Sequence, residues 1–313
     1  MSRALRVAPL VLPLICSVAC QRDGVGPTPS STGAGPLFST SLPASPHLLA
    51  SSGHILFTRI LPPSARWVFK MDATGANVAQ LAHGYAAVWK PDGSKIAFSC
   101  GANICVMNND GSGIVQLTFN VLVEVPAWSV SSSAFPNGRI AFHGQDPTGN
   151  WHIWVMNPDG TGVVQLTFDA TIDGDADWSP DGSKIAFQRY VKYGTSQVFV
   201  MNASGSGITQ LTTLGGLSPA WSPDGTKIAF DSYRSGTSQI YVMSSSGETA
   251  GPVVQVTTSG GSLSDWSLDG TRIVFRCPAG KATNICTINS DGTGGVLDLT
   301  NSRETEQWPE WGP

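Results

Sequence analysis

Short runs of apolar residues alternate along this chain with turns rich in Gly, Pro, Asp and Asn. One order recurs six times: a Trp, a Pro-Asp-Gly turn, an Ile-Ala-Phe run, a Val-Met-Asn run, a Gly turn and a Gln-Leu-Thr run. The fullest copies are WSPDGSKIAF from Trp178 and WSPDGTKIAF from Trp221. Such runs between turn signals predict β-strands, four to a copy. A repeat of this size cannot bury its own apolar faces, so the copies are expected to stack into one core.

The spacing of the repeats predicts a ring of blades. The marker tryptophans are 39, 50, 43, 45 and 45 residues apart, which suits a four-stranded propeller blade of about 40 to 50 residues better than a solenoid. The chain stops at Pro313, where another Pro-Asp-Gly turn would begin, and residues 53–57 resume just after such a turn. We therefore predict an all-β, six-bladed β-propeller over residues 51–313. Its C-terminal strand, 305–313, completes the N-terminal blade and closes the ring without an open sheet edge.

Most letters of the repeat have structural explanations. Pro fixes φ and Gly accepts a positive φ in the Pro-Asp-Gly turns. The Asn that ends each Val-Met-Asn run is expected to bond the backbone of the next turn. The Trp and Ile-Ala-Phe residues are expected to fill the space between blades. Asp177, Asp265 and Glu310 each precede a marker Trp, which favours a structural hydrogen-bonding role for Asp177.

The W-S-P-D-G-x-K-I-A-F motif resembles the WD40-like Pro-Asp (PD40) repeats of TolB-type six-bladed propellers. The resemblance covers about residues 53–313, and the loosest copy follows Trp128, where the turn lengthens to 130–138. It implies a propeller fold and an envelope protein that binds other proteins. TolB itself carries an additional N-terminal domain, whereas the first 50 residues of this chain are predicted to be a leader and a tether.

The N-terminus predicts export. Residues 1–20 combine Arg3 and Arg6 with an apolar run and small residues before Cys20, typical of a secretory leader. Ser17-Val18-Ala19-Cys20 resembles the bacterial lipoprotein signal, which implies lipidation of Cys20; the alternative is an ordinary signal peptide cut near Ala19. Gln21 after the Cys suggests outer-membrane sorting. Residues 21–50 are rich in Pro, Ser, Thr and Gly and predict a disordered tether, so the membrane would be met only through a lipid anchor.

Charge and motifs exclude several functions. The net charge of −4, without basic runs, argues against nucleic-acid binding. No G-x-S-x-G, H-E-x-x-H or phosphate-loop motif occurs, so we expect the protein to be neither an enzyme nor a cofactor-binding protein. We also expect a monomer. His143 and His152 flank one hairpin with Asp146 and make at best an incomplete metal site. Asp173 and Asp175, which strand alternation would place on one side with Asp177, offer a weak Ca²⁺ site.

Four cysteines occupy matched positions in two repeats. Cys100 and Cys277 each lie two residues after the Phe of Ile-Ala-Phe, and Cys105 and Cys286 each lie in the following strand. Neighbours across a hairpin can meet disulfide geometry, and an exported chain permits oxidation. We therefore predict the disulfides Cys100–Cys105 and Cys277–Cys286, in preference to a four-Cys metal site.

Recognition is predicted where the chain departs from the repeat. The loops before each innermost strand and between the second and third strands share one face of a propeller, and a rigid scaffold presents recognition residues on such loops. Tyr, Trp and Arg are common interface anchors. The function expected is a non-enzymatic envelope protein that binds a protein or peptide; the alternative is a polysaccharide-binding or polysaccharide-cleaving propeller, with or without a metal. The candidate residues on this face are Tyr85, Phe119, Glu124, Trp151, Phe168, Asp173, Asp175, Arg189, Tyr190, Tyr193, Tyr233, Arg234 and Trp308.

Overall fold

The computed structural model describes residues 52–119, 122–169, 171–191 and 195–313. Every regular element of these residues is a β-strand, and the strands form six antiparallel sheets of four. The predicted leader, the Cys20 lipidation site and the tether lie outside the described residues, as does Tyr193. The part of the chain that is described contains no helix long and apolar enough to cross a membrane.

Each sheet is one blade, and its four strands follow one another from the channel outwards. Blade 1 contains β24 (Thr305–Gly312), β1 (His54–Leu61), β2 (Ala65–Asp72) and β3 (Ala79–His83); blade 2 contains β4 (Tyr85–Trp89), β5 (Lys95–Ser99), β6 (Ile104–Asn108) and β7 (Val115–Gln116); blade 3 contains β8 (Val123–Trp128), β9 (Ile140–Gln145), β10 (Trp151–Met156) and β11 (Val164–Gln165). Blade 4 contains β12 (Ile172–Trp178), β13 (Lys184–Val191), β14 (Thr195–Asn202) and β15 (Thr209–Gln210); blade 5 contains β16 (Leu217–Trp221), β17 (Lys227–Ser232), β18 (Gln239–Ser244) and β19 (Val254–Gln255); blade 6 contains β20 (Ser262–Trp266), β21 (Arg272–Ala279), β22 (Ala282–Asn289) and β23 (Leu297–Asp298).

The ring closes as the sequence predicts. The C-terminal strand β24 pairs antiparallel with β1, with Trp311 opposite Ile55 and Thr305 opposite Ile60. The six innermost strands, β24, β4, β8, β12, β16 and β20, each contact the next around the ring. Strand exchange between the two ends of the domain therefore supplies the inner strand of blade 1 and pairs the inner edge of β1.

The core lies between the blades. The Phe of every Ile-Ala-Phe run is at most 2% exposed and packs towards the preceding blade, as Phe98 does against Leu56 and Val68. All six marker tryptophans are also buried. Burial of an aromatic side chain stabilises a fold by about 1.5 to 3 kcal/mol. The main role of the repeated Phe and Trp residues is therefore packing between blades.

The turns have the predicted geometry with one correction. Gly93, Gly182 and Gly225 of the Pro-Asp-Gly turns have φ of 72°, 68° and 70°, a region that favours Gly. The predicted Asn contact to the turn backbone is wrong: the Asn108 amide Nδ2 donates instead to the Ser112 hydroxyl, at 2.9 Å. Asn157 makes the same contact to Thr161 at 3.0 Å.

Both predicted disulfides are present. Each lies at the position where other blades have a stacked pair of aromatic rings. Cys100 bonds Cys105 in blade 2, and Cys277 bonds Cys286 in blade 6. In blades 1, 4 and 5 the position of Cys105 holds a second aromatic ring that stacks on the buried Phe, and an arginine covers the pair. These arginines are Arg59, Arg189 and Arg234, whose guanidinium carbons lie 4.7 to 5.4 Å from the ring centroids.

Candidate binding face and channel mouth

The two faces of the ring differ in character. One face, the turn face, carries the Pro-Asp-Gly turns and the turns after the third strands. The other, the loop face, carries the loops into the innermost strands and the hairpins between the second and third strands. Because antiparallel strands alternate direction, this arrangement follows from the strand order alone. All candidate residues predicted from the sequence that the structure describes lie at the loop face or at the mouth of the channel beneath it.

The most exposed large apolar side chains of the described residues lie on the loop face. Phe168 is 74% exposed, Leu214 is 67% and Tyr233 is 64%. The residues of this apolar crescent belong to the loops and adjoining strand ends of blades 2 to 5, and they are Phe119, Leu122, Phe168, Ile172, Tyr190, Leu214 and Tyr233. The described turns of the opposite face also carry exposed large apolar side chains, but none of these is more than 53% exposed; they are Val78, Ile114, Phe135, Val163, Ile208, Leu268 and Val296. A patch of highly exposed apolar and aromatic side chains is typical of a binding surface.

Other predicted candidates have structural partners. Arg189 binds Asp173 through two hydrogen bonds, of 2.7 and 2.9 Å, and reaches Asp169 with a third of 2.9 Å. Asp173 is fully buried. Arg234 pairs with Glu248 at 3.1 Å. Charge-assisted bonds of this kind are strong, so these side chains hold the blades together rather than projecting towards a partner.

The structure does not bring together the two carboxylates of the predicted weak Ca²⁺ site, Asp173 and Asp175. Asp173 is occupied by Arg189, whereas Asp175 lies on the channel side, where it accepts a hydrogen bond from Ser218 at 3.1 Å. The expected alternation fails because β12 has a bulge between Gly174 and Asp177. No group of three potential metal ligands occurs among the residues described. The two histidines are also separate, since His152 contacts Asp146 at 3.2 Å and His143 faces Asp175.

A ring of left-handed residues surrounds the channel mouth. In every innermost strand, the residue three before the marker Trp has a φ between 43° and 54° and lies in a β-bulge opposite the buried Phe. These mouth-ring residues are Ala86, Val125, Asp175, Ser218, Leu263 and Trp308. None is Gly, and a left-handed conformation costs such residues about 1 to 2 kcal/mol. Backbone strain repeated at one position of every blade marks the mouth as a specialised region.

Side chains of the preceding blade accept hydrogen bonds from most of the mouth-ring N–H groups. The residue after the buried Phe accepts a hydrogen bond from the mouth-ring N–H of the next blade in five of six cases. The pairs are Ala86 to Thr58 at 3.1 Å, Val125 to Ser99 at 3.0 Å, Asp175 to His143 at 3.3 Å, Ser218 to Gln188 at 3.2 Å and Leu263 to Asp231 at 3.3 Å. In blade 6 the residue after the buried Phe is Arg276, and the mouth-ring residue of the next blade is Trp308. An arginine side chain has hydrogen-bond donors but no acceptor.

Charge is distributed unevenly around the mouth. Burial lowers the pKa of His143 against the opposing effects of Asp175 and Glu124, so the ring is neutral and its Nδ1 can accept the Asp175 N–H. Burial, followed by repulsion from Asp175, raises the pKa of Asp231 to about 7. Burial and the adjacent Glu124 carboxylate also raise the pKa of Tyr85. Acidic groups therefore gather on the side of blades 3 to 5.

The opposite side of the mouth is basic and aromatic. Trp308 packs on Tyr85 with ring centroids 5.5 Å apart. The Arg66 guanidinium lies 4.6 Å from the Tyr85 ring and 5.9 Å from the Trp308 ring. The ion pairs of the described residues include Arg59, Arg189 and Arg234 but neither Arg66 nor Arg276.

Deeper in the channel, three carboxyl groups precede the marker tryptophans. Asp177 accepts the Trp221 N–H at 2.7 Å and Asp265 accepts the Trp311 N–H at 2.6 Å, each across a blade boundary, which confirms the predicted structural role of Asp177. Enclosure by the surrounding strands raises the pKa of both to about 7. The same cause, with repulsion from Asp265 and Asp177, raises the pKa of Glu310. The channel cavity has a volume of about 120 Å³.

A larger cleft, of about 740 Å³, lies on the turn face between blades 2 and 3. Its roof is the lengthened turn at 134–138, and its floor includes Trp128. The two lysines that line it have partners already, since Lys95 donates to Asn108 at 2.8 Å and Lys90 pairs with Asp92. The lysines of this cleft are therefore not free to bind a ligand. The loop face is the better candidate for a binding site.

The described candidates thus divide into a mouth group, a crescent group, Trp151 by itself, and three residues in the structural ion pairs given above, Asp173, Arg189 and Arg234. Glu124, Asp175, Trp308 and the buried Tyr85 meet at the mouth, whereas Phe119, Phe168, Tyr190 and Tyr233 form part of the apolar crescent. Trp151 lies half-buried against His143, with ring centroids 5.2 Å apart. Sequence reasoning missed Arg66, Asp231 and Arg276. Aligning the residue after each Ile-Ala-Phe run would have shown that Arg276 differs in kind from its five counterparts.

The strand order, the blade number and the closure by β24 define a six-bladed β-propeller. Residues 190–313 match the family model of the TolB beta propeller domain, PD40, which confirms the TolB-like character of the repeats. TolB from Acinetobacter baumannii has a TM-score of 0.71 at 22% identity, over 84% of this chain and 67% of that one. A TolB candidate from Agrobacterium tumefaciens has a TM-score of 0.62 at 18% identity, over 84% and 99%. Oligogalacturonate lyase in complex with manganese has a TM-score of 0.53 at 13% identity, over 78% of each chain. No curated protein matches the sequence.

Proposed function

We propose that this protein is a non-enzymatic binding protein of the bacterial cell envelope, which holds a protein or peptide partner on its loop face. The observation that carries the proposal is the apolar crescent of blades 2 to 5, set beside a channel mouth that bears unpaired arginines and acidic groups. Exposed aromatic and aliphatic anchors next to polar groups are typical of protein recognition. The TolB-like repeats support the same kind of role.

The proposed location is the outer membrane, facing the periplasm or the cell surface, through a lipid on Cys20. The two disulfides support export, because such bonds persist in oxidising compartments. Ser52 and Gly53 lie at the turn face, against Trp311 and Gly312.

The test replaces three members of the apolar crescent together, Phe168→Ser, Leu214→Ser and Tyr233→Ser. The control carries Phe135→Ser and Leu268→Ser on the turn face, which removes two large apolar groups that are 40% and 45% exposed. Both proteins are used to capture partners from a solubilised envelope fraction, and the Kd is then measured with the purified partner.

The proposal expects the loop-face variant to bind at least about tenfold more weakly, a loss of about 1.4 kcal/mol. Its thermal unfolding should match that of the control, since the replaced side chains are exposed. Equal capture by the two variants would place recognition elsewhere.

A further inference from the structure

The seam between blades 6 and 1 breaks a hydrogen-bonding rule that the other five seams obey. At those seams a Thr, Ser, His, Gln or Asp side chain accepts the mouth-ring N–H of the following blade. At the sixth seam the equivalent residue is Arg276, and the mouth-ring residue is Trp308. Arginine has no acceptor atom. No side chain among the described residues accepts the Trp308 N–H.

At this seam the equivalent positions therefore hold two hydrogen-bond donors, the Trp308 N–H and the Arg276 guanidinium. Each of the other five seams has one donor and one acceptor. Arg276 directs its Nε to Ser262 Oγ at 2.9 Å, and within the described residues its terminal nitrogens have no hydrogen-bond partner. Asp231 of the preceding seam accepts the Leu263 N–H, and the charge of Arg276 partly offsets the rise in the Asp231 pKa that burial causes, but the two side chains form no ion pair. Trp308 has a left-handed φ of 48°, like the five mouth-ring residues whose N–H groups point to their seams.

A third donor stands on the other side of Trp308. The Arg66 guanidinium is exposed, lies over Tyr85 and Trp308, and has no ion-pair partner among the residues described. Arginine stacked on aromatic rings keeps its in-plane N–H groups available for an anion. Arg66 therefore lies beside the Trp308 indole, while Arg276 occupies the repeat position that precedes Trp308 around the ring, and both have N–H groups to donate.

We propose that the seam between blades 6 and 1 is a carboxylate-binding subsite, in which Arg276 and the Trp308 N–H bind a carboxylate of a peptide and Arg66 completes its neutralisation. The proposal rests on the proposed function and specifies the partner as a peptide segment that ends in, or carries, a carboxylate. Guanidinium and backbone N–H groups together match the two oxygens of such a group.

The remainder of the mouth favours a peptide over an acidic polysaccharide. On the opposite side, Asp175 of blade 4 lines the mouth, and Glu124 and the buried Asp231 lie near it on blades 3 and 5. A polyuronate carries a carboxylate on every sugar and would bring like charges to this side, at a cost in free energy. A peptide needs only one carboxylate at the seam, and its backbone N–H groups suit the acidic side. The apolar crescent can then accept neighbouring side chains.

The test uses full-length protein labelled with ¹⁵N-tryptophan, whose ten tryptophans give a spectrum that is simple to follow. The Trp308 amide is assigned from the peak lost in Trp308→Phe. The probe is N-acetyl-Ala-Ala-Phe with a free C-terminal carboxylate, compared with its C-terminal amide and with N-acetyl-Ala-Glu-Ala-amide, which carries a side-chain carboxylate instead. We expect the Trp308 amide to shift with one or both carboxylate peptides and to remain unchanged with the uncharged amide.

Arg276→Ser is the informative variant, because Ser is the residue that blade 2 uses at this position. It restores an acceptor for the Trp308 N–H, so the fold should be retained while the Kd for the carboxylate peptide rises at least tenfold. Arg303→Ser is the matched control: it removes an exposed positive charge from the same face and should change the Kd less than twofold.

Three results would overturn the subsite: no carboxylate-dependent shift, equal shifts with the uncharged amide, or a Kd unchanged by Arg276→Ser. Trigalacturonate shifting Trp308 when neither carboxylate peptide does would overturn the peptide assignment. If these results occur while the Phe168, Leu214 and Tyr233 variant still loses its partner, the subsite fails and the proposed function stands. If that variant also keeps its partner, the proposed function fails as well.

Discussion

Asp177 places a carboxyl group in the channel wall and accepts the Trp221 N–H of the next blade at 2.7 Å. Enclosure raises its folded pKa to about 7, above the ordinary value of 3.8. The folded state therefore binds more protons than the unfolded state between these two values. Stability contributed by this group is full at low pH and is lost as the pH rises towards 7.

Asp177→Asn should remove this pH dependence while keeping an acceptor for the Trp221 N–H. Because one pKa unit corresponds to about 1.4 kcal/mol, we expect the variant to unfold at least about 3 °C higher than the parent at pH 8. At pH 4 the difference should nearly vanish. Thermal unfolding followed by circular dichroism across this range provides the measurement.

Asp224→Asn is the control for that experiment, because its effect should have the opposite pH dependence. Hydrogen bonds from Ser222 and Thr226 lower the pKa of Asp224 in its turn. Its stabilisation is present at neutral pH and is lost as the pH falls through the folded pKa. A parent-like Tm for Asp177→Asn at both pH values would show that the carboxyl is not held in an unfavourable charged state.

Asp173 should matter for stability through Arg189 rather than through a metal. Removing one partner of a buried ion pair leaves an uncompensated charge, so Asp173→Ala should lower the unfolding free energy by about 3 to 5 kcal/mol. Asp169→Ala removes an exposed partner of the same arginine and should cost at most about 1 kcal/mol. Chemical denaturation measures both values. A Tm of the parent that rises with CaCl₂, but not in Asp173→Ala, would instead support the cation site.

At the scale of the element, each blade closes its loop-face end by one of a few interchangeable devices. Blades 1, 4 and 5 stack two aromatic rings under an arginine, whereas blades 2 and 6 have a cystine at the same place. Blade 3 has Trp154, whose indole N–H donates to the Gly144 carbonyl at 3.1 Å. The cysteines recur in register because they occupy a repeat position that must always be filled.

Loss of one cystine should weaken its blade without abolishing the fold. Replacing Cys277 and Cys286 together by Ser should cost about 2 to 3 kcal/mol, the chain-entropy value for a short loop. Denaturant titration of the oxidised proteins measures the difference. Dithiothreitol should lower the Tm of the parent more than that of this variant, which retains only Cys100–Cys105. Equal sensitivity to the reductant would contradict the assigned role.

Features set by neighbours in sequence were predictable, and features set by neighbours in space were not. Pro-Asp-Gly turns and the paired cysteines depend on contacts within one hairpin, so spacing reveals them. The mouth-ring bulges carry no residue signature, because Ala, Val, Asp, Ser, Leu and Trp all occupy the left-handed position. The alternation expected for Asp173 and Asp175 failed for that reason, and the Arg189 partner of Asp173 lies 16 residues away.

At the scale of the whole molecule, closure depends on one strand from the far end of the chain. Deleting residues 305–313 would expose the edge of β1 and remove the contacts of β24 with β4 and β20. We expect loss of cooperative thermal unfolding and self-association in size-exclusion chromatography, since an open sheet edge invites pairing. Deleting Pro313 alone should leave both properties unchanged. A monomeric truncated protein with the parental Tm would contradict closure by strand exchange.

The ring as a whole is asymmetric, although its repeat is regular. The apolar crescent lies on blades 2 to 5, acidic groups gather at the mouth near blades 3 to 5, and unpaired arginines lie near blades 6 and 1. A symmetric scaffold that presents an asymmetric face can orient a partner as well as hold it.

Site-specific photocrosslinking is the direct test of whether a partner binds on the loop face. A benzophenone amino acid at Tyr233, on the loop face, is compared in cells with one at Leu268, on the turn face; both positions are well exposed. We expect a discrete crosslinked protein from position 233, lost with Phe168→Ser and Leu214→Ser, and none from position 268. The same adduct from position 268, or from 268 alone, would contradict it.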